Sequence, residues 1–218
     1  MIFDLDGTLV DTVQTRIDAW LATFAEIGIP AEREHVARLI GADGKRLARA
    51  VSEVAGRRID DGRAEAIDKR AGAVYDGLNT NPRPLPGARQ LLADLGGSSL
   101  TWAIATSSRR EQVGASIAAL RLALPPRIVD GSHVEHAKPA PDLLLLAADA
   151  LGTAPGRCWY VGDATWDMLA AKAAGMVPVG AAYGAVPADA LVRSGAQAVT
   201  TLRALRIELQ RRELLGDG

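Results

Sequence analysis

Seven residues of this 218-residue chain have the types and placement to do chemistry together: Asp4, Asp6, Thr106, Ser107, Lys138, Asp163 and Asp167. Asp4 and Asp6 stand one leucine apart after the opening apolar residues, and Gly7 follows, where a backbone can turn sharply without a Cβ penalty. Thr106 and Ser107 close the stretch TWAIATSS, and Lys138 lies in HAKPAPD, just ahead of a proline-started helical stretch. Asp163 ends CWYVGD, and Asp167 comes one helical turn later. Carboxylates this close, without counter-charge, raise each other's pKa. A divalent cation removes that penalty. A ligand set of oxygens alone selects a hard ion such as Mg²⁺, which keeps some waters and is shared with a substrate phosphate.

The elements that must position these residues are legible as an alternation. Met1–Phe3, Thr101–Ala105, Arg127–Val129, Cys158–Val161 and Val177–Ala181 are short and apolar or β-prone. Alanine- and leucine-rich stretches such as Pro141–Leu151 and Met168–Ala174 lie between them and read as helices. Strand-then-helix alternation predicts an α/β fold: a doubly wound parallel sheet with helices on both faces. Ligands of such sheets bind beyond the carboxyl ends of the strands, and the seven polar residues sit at or beyond those ends. The interval from Thr12 to Pro82 is different. Ile17, Trp20, Leu21, Phe24 and Ile27 follow helical spacing up to Gly28 and Pro30. Glu32–Ile40, Lys45–Ala55 and Asp61–Leu78 read as further helices. The chain therefore divides into a core, residues 1–11 and 83–218, and a smaller all-helical insertion, 12–82, with the proline-containing run from Asn79 to Pro84 as the return linker.

Composition bounds the function class. Hydrophobic residues make up 48% and charged residues 23%, as in ordinary globular proteins, and the net charge is −1. That balance offers no drive toward nucleic acid or an anionic membrane. The single cysteine, Cys158, permits no intrachain disulfide. No basic segment with a long apolar run marks a signal peptide, and no stretch reaches membrane-spanning length, so a cytoplasmic location is expected.

The stretches FDLDGTLVDT, AIATSS, AKPAPD and VGDATWDMLAAKAAG, in this order, resemble the haloacid dehalogenase (HAD) superfamily of aspartate-nucleophile phosphohydrolases. Within it the chain resembles the subgroup with a helical cap after the first strand, to which phosphoglycolate phosphatases and beta-phosphoglucomutases belong. The resemblance implies a Rossmann-like core and assigns roles. Asp4 would be the nucleophile that becomes an aspartyl-phosphate. Asp6 would protonate the leaving oxygen and then deprotonate the hydrolytic water. Thr106 and the Ser107 N–H would hold the phosphoryl oxygens, and Lys138 would neutralise charge on Asp4 and the phosphate. The Mg²⁺ would be held by Asp4, Asp163 and the Asp6 main-chain carbonyl, with Asp167 supporting its waters or Lys138. The expected reaction is Mg²⁺-dependent hydrolysis of a small phosphorylated metabolite.

A carboxylate at Asp6 separates reaction types, because the dehalogenase and phosphonate-hydrolysing branches lack one there. Mutases share it. They tend to carry an arginine three residues after a glycine in the first cap loop, whereas IGADGKR places Gly44 there, followed by Lys45 and Arg46. Two further departures are Ala164, where the family often has serine, and the few residues ahead of the first strand. A sugar-phosphate mutase and a non-catalytic binding module on the same fold are the alternatives. Lys45 and Arg46 are candidate contacts to the distal part of the substrate, and Arg16 is a weaker one. His133 and His136 lack a fitting carboxylate spacing and read as loop residues. Cys158 reads as a small buried hydrophobe, and Trp166 as packing beside the site or the cap hinge. The glycines of GADGKR are too closely spaced for a nucleotide-phosphate loop.

Overall fold

The computed structural model describes residues 1–215. Six strands, β1 (Ile2–Phe3), β4 (Ala103–Ala105), β5 (Ile128–Val129), β6 (Trp159–Gly162), β7 (Val177–Ala181) and β8 (Ala198–Thr200), form one sheet in the order β5-β4-β1-β6-β7-β8. Every pairing in it is parallel. The chain runs outward from β1 through β4 to β5, then crosses back to β6 and runs the other way. The reversal falls beside β1, and an open parallel sheet places its ligand crevice at such a switch point.

Side chains alternate across a strand, so the two residues of β1 seed two separate cores. Phe3 packs with Leu91, Leu92 and Leu95 of α5 (Ala88–Gly97) and Leu202, Leu205 and Leu209 of α10 (Leu202–Arg211). Leu120 of α6 (Gly114–Leu120) joins the same layer. Ile2 packs on the other face with Leu143, Leu144 and Ala147 of α7 (Asp142–Ala150) and Ala170 and Ala171 of α8 (Thr165–Ala173). The helix α9 (Ala188–Ser194) lies between β7 and β8.

A third apolar cluster belongs to four helices between the core strands: α1 (Val13–Glu26), α2 (Arg33–Leu39), α3 (Gly44–Val54) and α4 (Asp61–Leu78). Ile17, Trp20 and Phe24 form one buried stripe of α1, with Leu21 and Ile27 at its margin. Gly28, at φ +65°, ends that helix in the left-handed conformation that glycine adopts without strain. Asp43 and Asp60 cap α3 and α4 by accepting from the backbone N–H groups of Arg46 and Arg63 at 3.0 and 2.7 Å.

Several features lie beyond the predicted elements. The strand β8 and the helix α10 after it follow the last predicted strand. The two crossings between core and insertion form an antiparallel pair, β2 (Val10–Asp11) with β3 (Arg83–Pro84), in the register Val10↔Pro84 and Asp11↔Arg83. Part of the expected return linker is therefore a strand; Pro84 is tolerated because this ribbon is only two strands wide and its outer edges need no donor.

Candidate active site

Register brings the polar residues together. Phe3 of β1 pairs with Ile104 of β4 and Val161 of β6, so Asp4, Thr106 and Asp163 leave the sheet at nearly the same level. The Asp4 N–H donates to the Val161 carbonyl at 2.9 Å, and the Thr106 N–H to the Val129 carbonyl at 3.0 Å. Gly7, at φ +80°, turns the chain so tightly that a Cβ there would lie 2.3 Å from Asp163 Oδ2. Thr8 then donates its hydroxyl to Asp163 Oδ1 at 2.9 Å.

Lys138 enters from the loop between β5 and α7 and is 1% exposed. Its ammonium donates to Asp4 Oδ1 at 2.8 Å, to Asp167 Oδ1 at 2.7 Å and to the Tyr160 hydroxyl at 3.2 Å. Asp167 is saturated by this arrangement, because its Oδ2 accepts from the Ala164 N–H at the start of α8, at 2.9 Å. Burial by itself would lower the Lys138 pKa, but Asp167 and Asp4 hold it well above its ordinary value. Burial pushes Asp4 well above the carboxylate range, and Asp167 and Asp163 add to this against the pull of Lys138. Burial, with repulsion from Asp167, pushes Asp163 up to about 7, although Ala185 N–H and Thr8 donate to it.

These shifts bear on whether a cation fits. Carboxylate oxygens of Asp4, Asp163 and Asp167 lie within 4.8 Å of one another, all buried, with Lys138 as their one close cation among the described residues. The excess negative charge and the all-oxygen donor set suit a hard divalent ion. Asp163 accepts from neutral donors, Thr8 and the Ala185 N–H, and Asp4 is bound by Lys138 through Oδ1, whereas Asp167 is held by both Lys138 and the backbone.

Asp6 points elsewhere. Its carboxylate is outside that trio and turns toward α1 and α4. Oδ1 accepts from the hydroxyls of Thr12 at 2.6 Å and Tyr75 at 2.9 Å. Oδ2 accepts from Arg16 at 3.0 Å and from the Ser108 hydroxyl at 2.6 Å. Burial opposes ionisation here, but Arg16 and then Ser108, Thr12 and Tyr75 hold the pKa below its ordinary value. The carboxylate is thus taken up by these donors, and the donor that the resemblance gives Asp6 toward a metal is its main-chain carbonyl.

The sheet edge and the insertion enclose a cavity of about 70 Å³ lined by Asp4, Asp6, Thr106, Ser107, Lys138 and Asp163 on one side. Arg16, Trp20, Leu47, Ala71 and Tyr75 line the other. Arg16 is thus in the cavity, its guanidinium 3.4 Å from the Tyr75 ring centroid and 3.2 Å from Gln112 Oε1. Lys45 and Arg46 do not line it. Lys45 Nζ lies 3.9 Å from Glu65, and Arg46 stacks 5.1 Å from the Trp166 ring. They occupy the first turn of α3, where successive side chains point about 100° apart, and neither turns toward Asp4. Trp166 ties core to insertion by donating its indole N–H to the Arg38 carbonyl at 3.1 Å. His133 and His136 are exposed and pair with Asp130 and Asp142, away from the carboxylate trio. Cys158 is buried. Sequence reasoning missed Thr8, Ser108, Gln112, Tyr75 and Tyr160. Ser108 and Tyr160 had a signal in the strand-ending motifs; Tyr75, on a long helix, had none.

Comparison with known proteins agrees with this geometry. The family model described as haloacid dehalogenase-like hydrolase matches residues 1–181. The fructose-1-phosphate phosphatase YqaB of Escherichia coli (strain K12) is 33% identical over 177 residues, 81% of this chain and 92% of that protein. A beta-phosphoglucomutase of Bacillus subtilis (strain 168) is 32% identical over 203 residues, 88% of each. The crystal structure of a hydrolase from Pseudomonas syringae superposes with a TM-score of 0.89 at 34% identity, covering 99% of this chain and 98% of that one. With most of its length matched and the strand-end residues gathered at the switch point of the sheet, this chain belongs to the haloacid dehalogenase-like hydrolase family.

Proposed function

We propose that this protein is a Mg²⁺-dependent phosphatase that hydrolyses a small phosphorylated metabolite through an aspartyl-phosphate on Asp4. The observation that carries the reading is the buried Lys138–Asp4 pair beside Asp163, at the edge of a cavity that also holds Thr106 and Asp6. Asp4, Asp163 and the Asp6 carbonyl would hold the metal, which when bound supplies charge neutralisation between carboxylates and phosphate.

The chain's own groups do the rest. Lys138 fixes the Asp4 carboxylate through Oδ1, leaving Oδ2 to form the new bond to phosphorus as the ester P–O bond breaks. Thr106 and the Ser107 N–H hold the equatorial oxygens as charge spreads over them. Asp6 gives a proton to the departing alkoxide. It then takes one from the water that attacks the aspartyl-phosphate, releasing phosphate and restoring Asp4. Asp6 is held here as the carboxylate, the form the second step uses. The first requires it to leave Arg16 and Tyr75, both on the insertion. Residues 12–82 act in this reading as a cap that opens and closes, with Thr12 at its hinge.

The similarity to a beta-phosphoglucomutase keeps a mutase as the second reading. No helix among the described residues is long and apolar enough to cross a membrane, and a cytoplasmic enzyme acting on a free metabolite fits the weak net charge. The test is phosphate release from a panel of phosphorylated metabolites with Mg²⁺ and with chelator, for the wild type and Asp4→Asn. Release is expected only with metal, and Asp4→Asn is expected to lose at least about 10³-fold in kcat. Turnover by Asp4→Asn at the wild-type rate sinks the reading, and an isomeric phosphate in place of free phosphate installs the mutase.

A further inference from the structure

Two cavities meet at the seam between the helical insertion and the loop that follows β4. The inner one, about 70 Å³, holds Asp4, Thr106 and Lys138. The outer one, about 310 Å³, is lined by charged and polar side chains, among them Lys45, Glu65 and Ser132. Gly44, Asp68, Ser107 and Gln112 line both, and so form the partition between them. On the same measure the inner cavity is less than a quarter of the outer one, so beside a phosphoryl group it has room for a short leaving group and not for a long one.

The one ionic side chain in the partition, Asp68, is held in place from the outer cavity by Arg109. Arg109 Nη2 lies 2.9 Å from Asp68 Oδ2 and 2.8 Å from Glu65 Oε1. The fit around it is tight. A Cβ at Gly44 would lie 1.8 Å from Asp68 Oδ1, and one at Gly72 would lie 1.9 Å from Gln112 Nε2. Both glycines are helical, where glycine is worse than alanine by about 0.5–1 kcal/mol. Their missing side chains are the space that Asp68 and Gln112 occupy.

We propose that the Asp68–Arg109 pair sets the length of leaving group this enzyme accepts, which makes short-chain phosphate monoesters its preferred substrates; the proposal rests on the phosphatase reading. A short leaving group stays within the inner cavity. A hexose must reach into the outer one, and it can do so only by parting a partly buried ion pair at its own expense. Lys45 and Glu65 would then meet its distal hydroxyls. Asp68 and Arg109 touch neither Asp4 nor the phosphoryl position; they act by shape.

The test compares glycerol 3-phosphate with fructose 1-phosphate, two esters with uncharged leaving groups, so that their kcat/KM ratio is sensitive to size and not to charge. Wild type is expected to favour the glycerol ester. Asp68→Ala joins the cavities and is expected to raise the ratio of fructose to glycerol ester by about tenfold or more. A pair that merely held the cap shut would change both esters alike, so an unchanged ratio, or a wild type that prefers the hexose, overturns the proposal. Should Asp68→Ala not fold, Arg109→Ala releases Asp68 from its partner, so that a long leaving group can displace it, and decides by the same ratio. No turnover of either ester by wild type, or of any ester in the panel, would instead remove the phosphatase reading and the proposal with it.

Discussion

At the sheet edge, Lys138, Asp4 and Asp167 are buried together at 2.8 and 2.7 Å, and every one of these charges has a partner fixed by strand register or by the first turn of α8. The helices across the cavity treat charge differently. Three pairs within that layer, Arg33 with Asp18, Arg49 with Asp61 and Arg70 with Glu26, lie on the outer surface with side chains largely in water. Apolar burial holds that layer together, through Ile17, Trp20, Phe24 and their neighbours. The difference separates two jobs. The sheet edge holds buried charge in fixed register, while the helical layer stands on its own apolar core and reaches the cavity through particular side chains such as Arg16, Tyr75 and Asp68.

The comparison can be broken most directly at Lys138. Replacing it by alanine leaves Asp4 and Asp167 buried without their cation, and a loss of about 3–5 kcal/mol is expected in denaturant unfolding. A loss below about 1 kcal/mol would mean that the sheet edge is as tolerant of charge as the helices are.

Asp163 gives a smaller effect of opposite sign. Its carboxyl is raised to about 7 by burial first and Asp167 second. A raised carboxylate pKa means that ionisation opposes folding. The metal-free protein is therefore expected to lose stability between the ordinary carboxylate range and about pH 7, and Asp163→Asn to lose less. Mg²⁺ should raise the wild-type melting temperature and leave the variant unmoved. Thermal melts across that pH range, with and without Mg²⁺, read both effects. A variant less stable than wild type at pH 8 without metal would show that the hydrogen bonds from Thr8 and Ala185 outweigh the repulsion.

The smallest effect is expected on the helical side. Arg70→Ala removes a two-pronged bond to Glu26, at 2.7 Å in each prong. Both groups are in water, where such pairs contribute little, and the melting temperature should not move measurably. A clear fall would show that surface pairs help hold the helical layer together, and the contrast would narrow.

The same contrast explains what could be read from the residues alone. Parallel topology sends every strand end to one edge, so the motifs at Asp4, Thr106 and Asp163 announced their neighbourhood without any knowledge of packing. Lys138 joined them through its place ahead of a proline-started helix. Helix-borne groups carry no such rule. Tyr75 and Arg16 reach Asp6 because α1 and α4 pack at one particular rotation, and neither residue's spacing reveals that rotation. Lys45 and Arg46 show the same limit: a loop facing the cavity does not fix where each side chain of the next turn points, and the structure places Lys45 on the outer cavity and Arg46 against Trp166. The strand β8 was missed because Ala198–Thr200 is three residues long and half exposed, with no apolar run to mark it. The ribbon β2–β3 has two residues per strand, one of them Pro84, which is too little pattern to read.

That ribbon has a mechanical meaning. Because the outgoing and returning chains are hydrogen-bonded to each other where they leave the core, the insertion hangs from one stiff strap instead of two independent strings. If the insertion opens as the proposed cap, its two ends would move together rather than independently. A different helical module spliced at the strap would leave β1 and Asp4 in place, but it would have to bring its own donors for Asp6, which here come from Thr12, Arg16 and Tyr75.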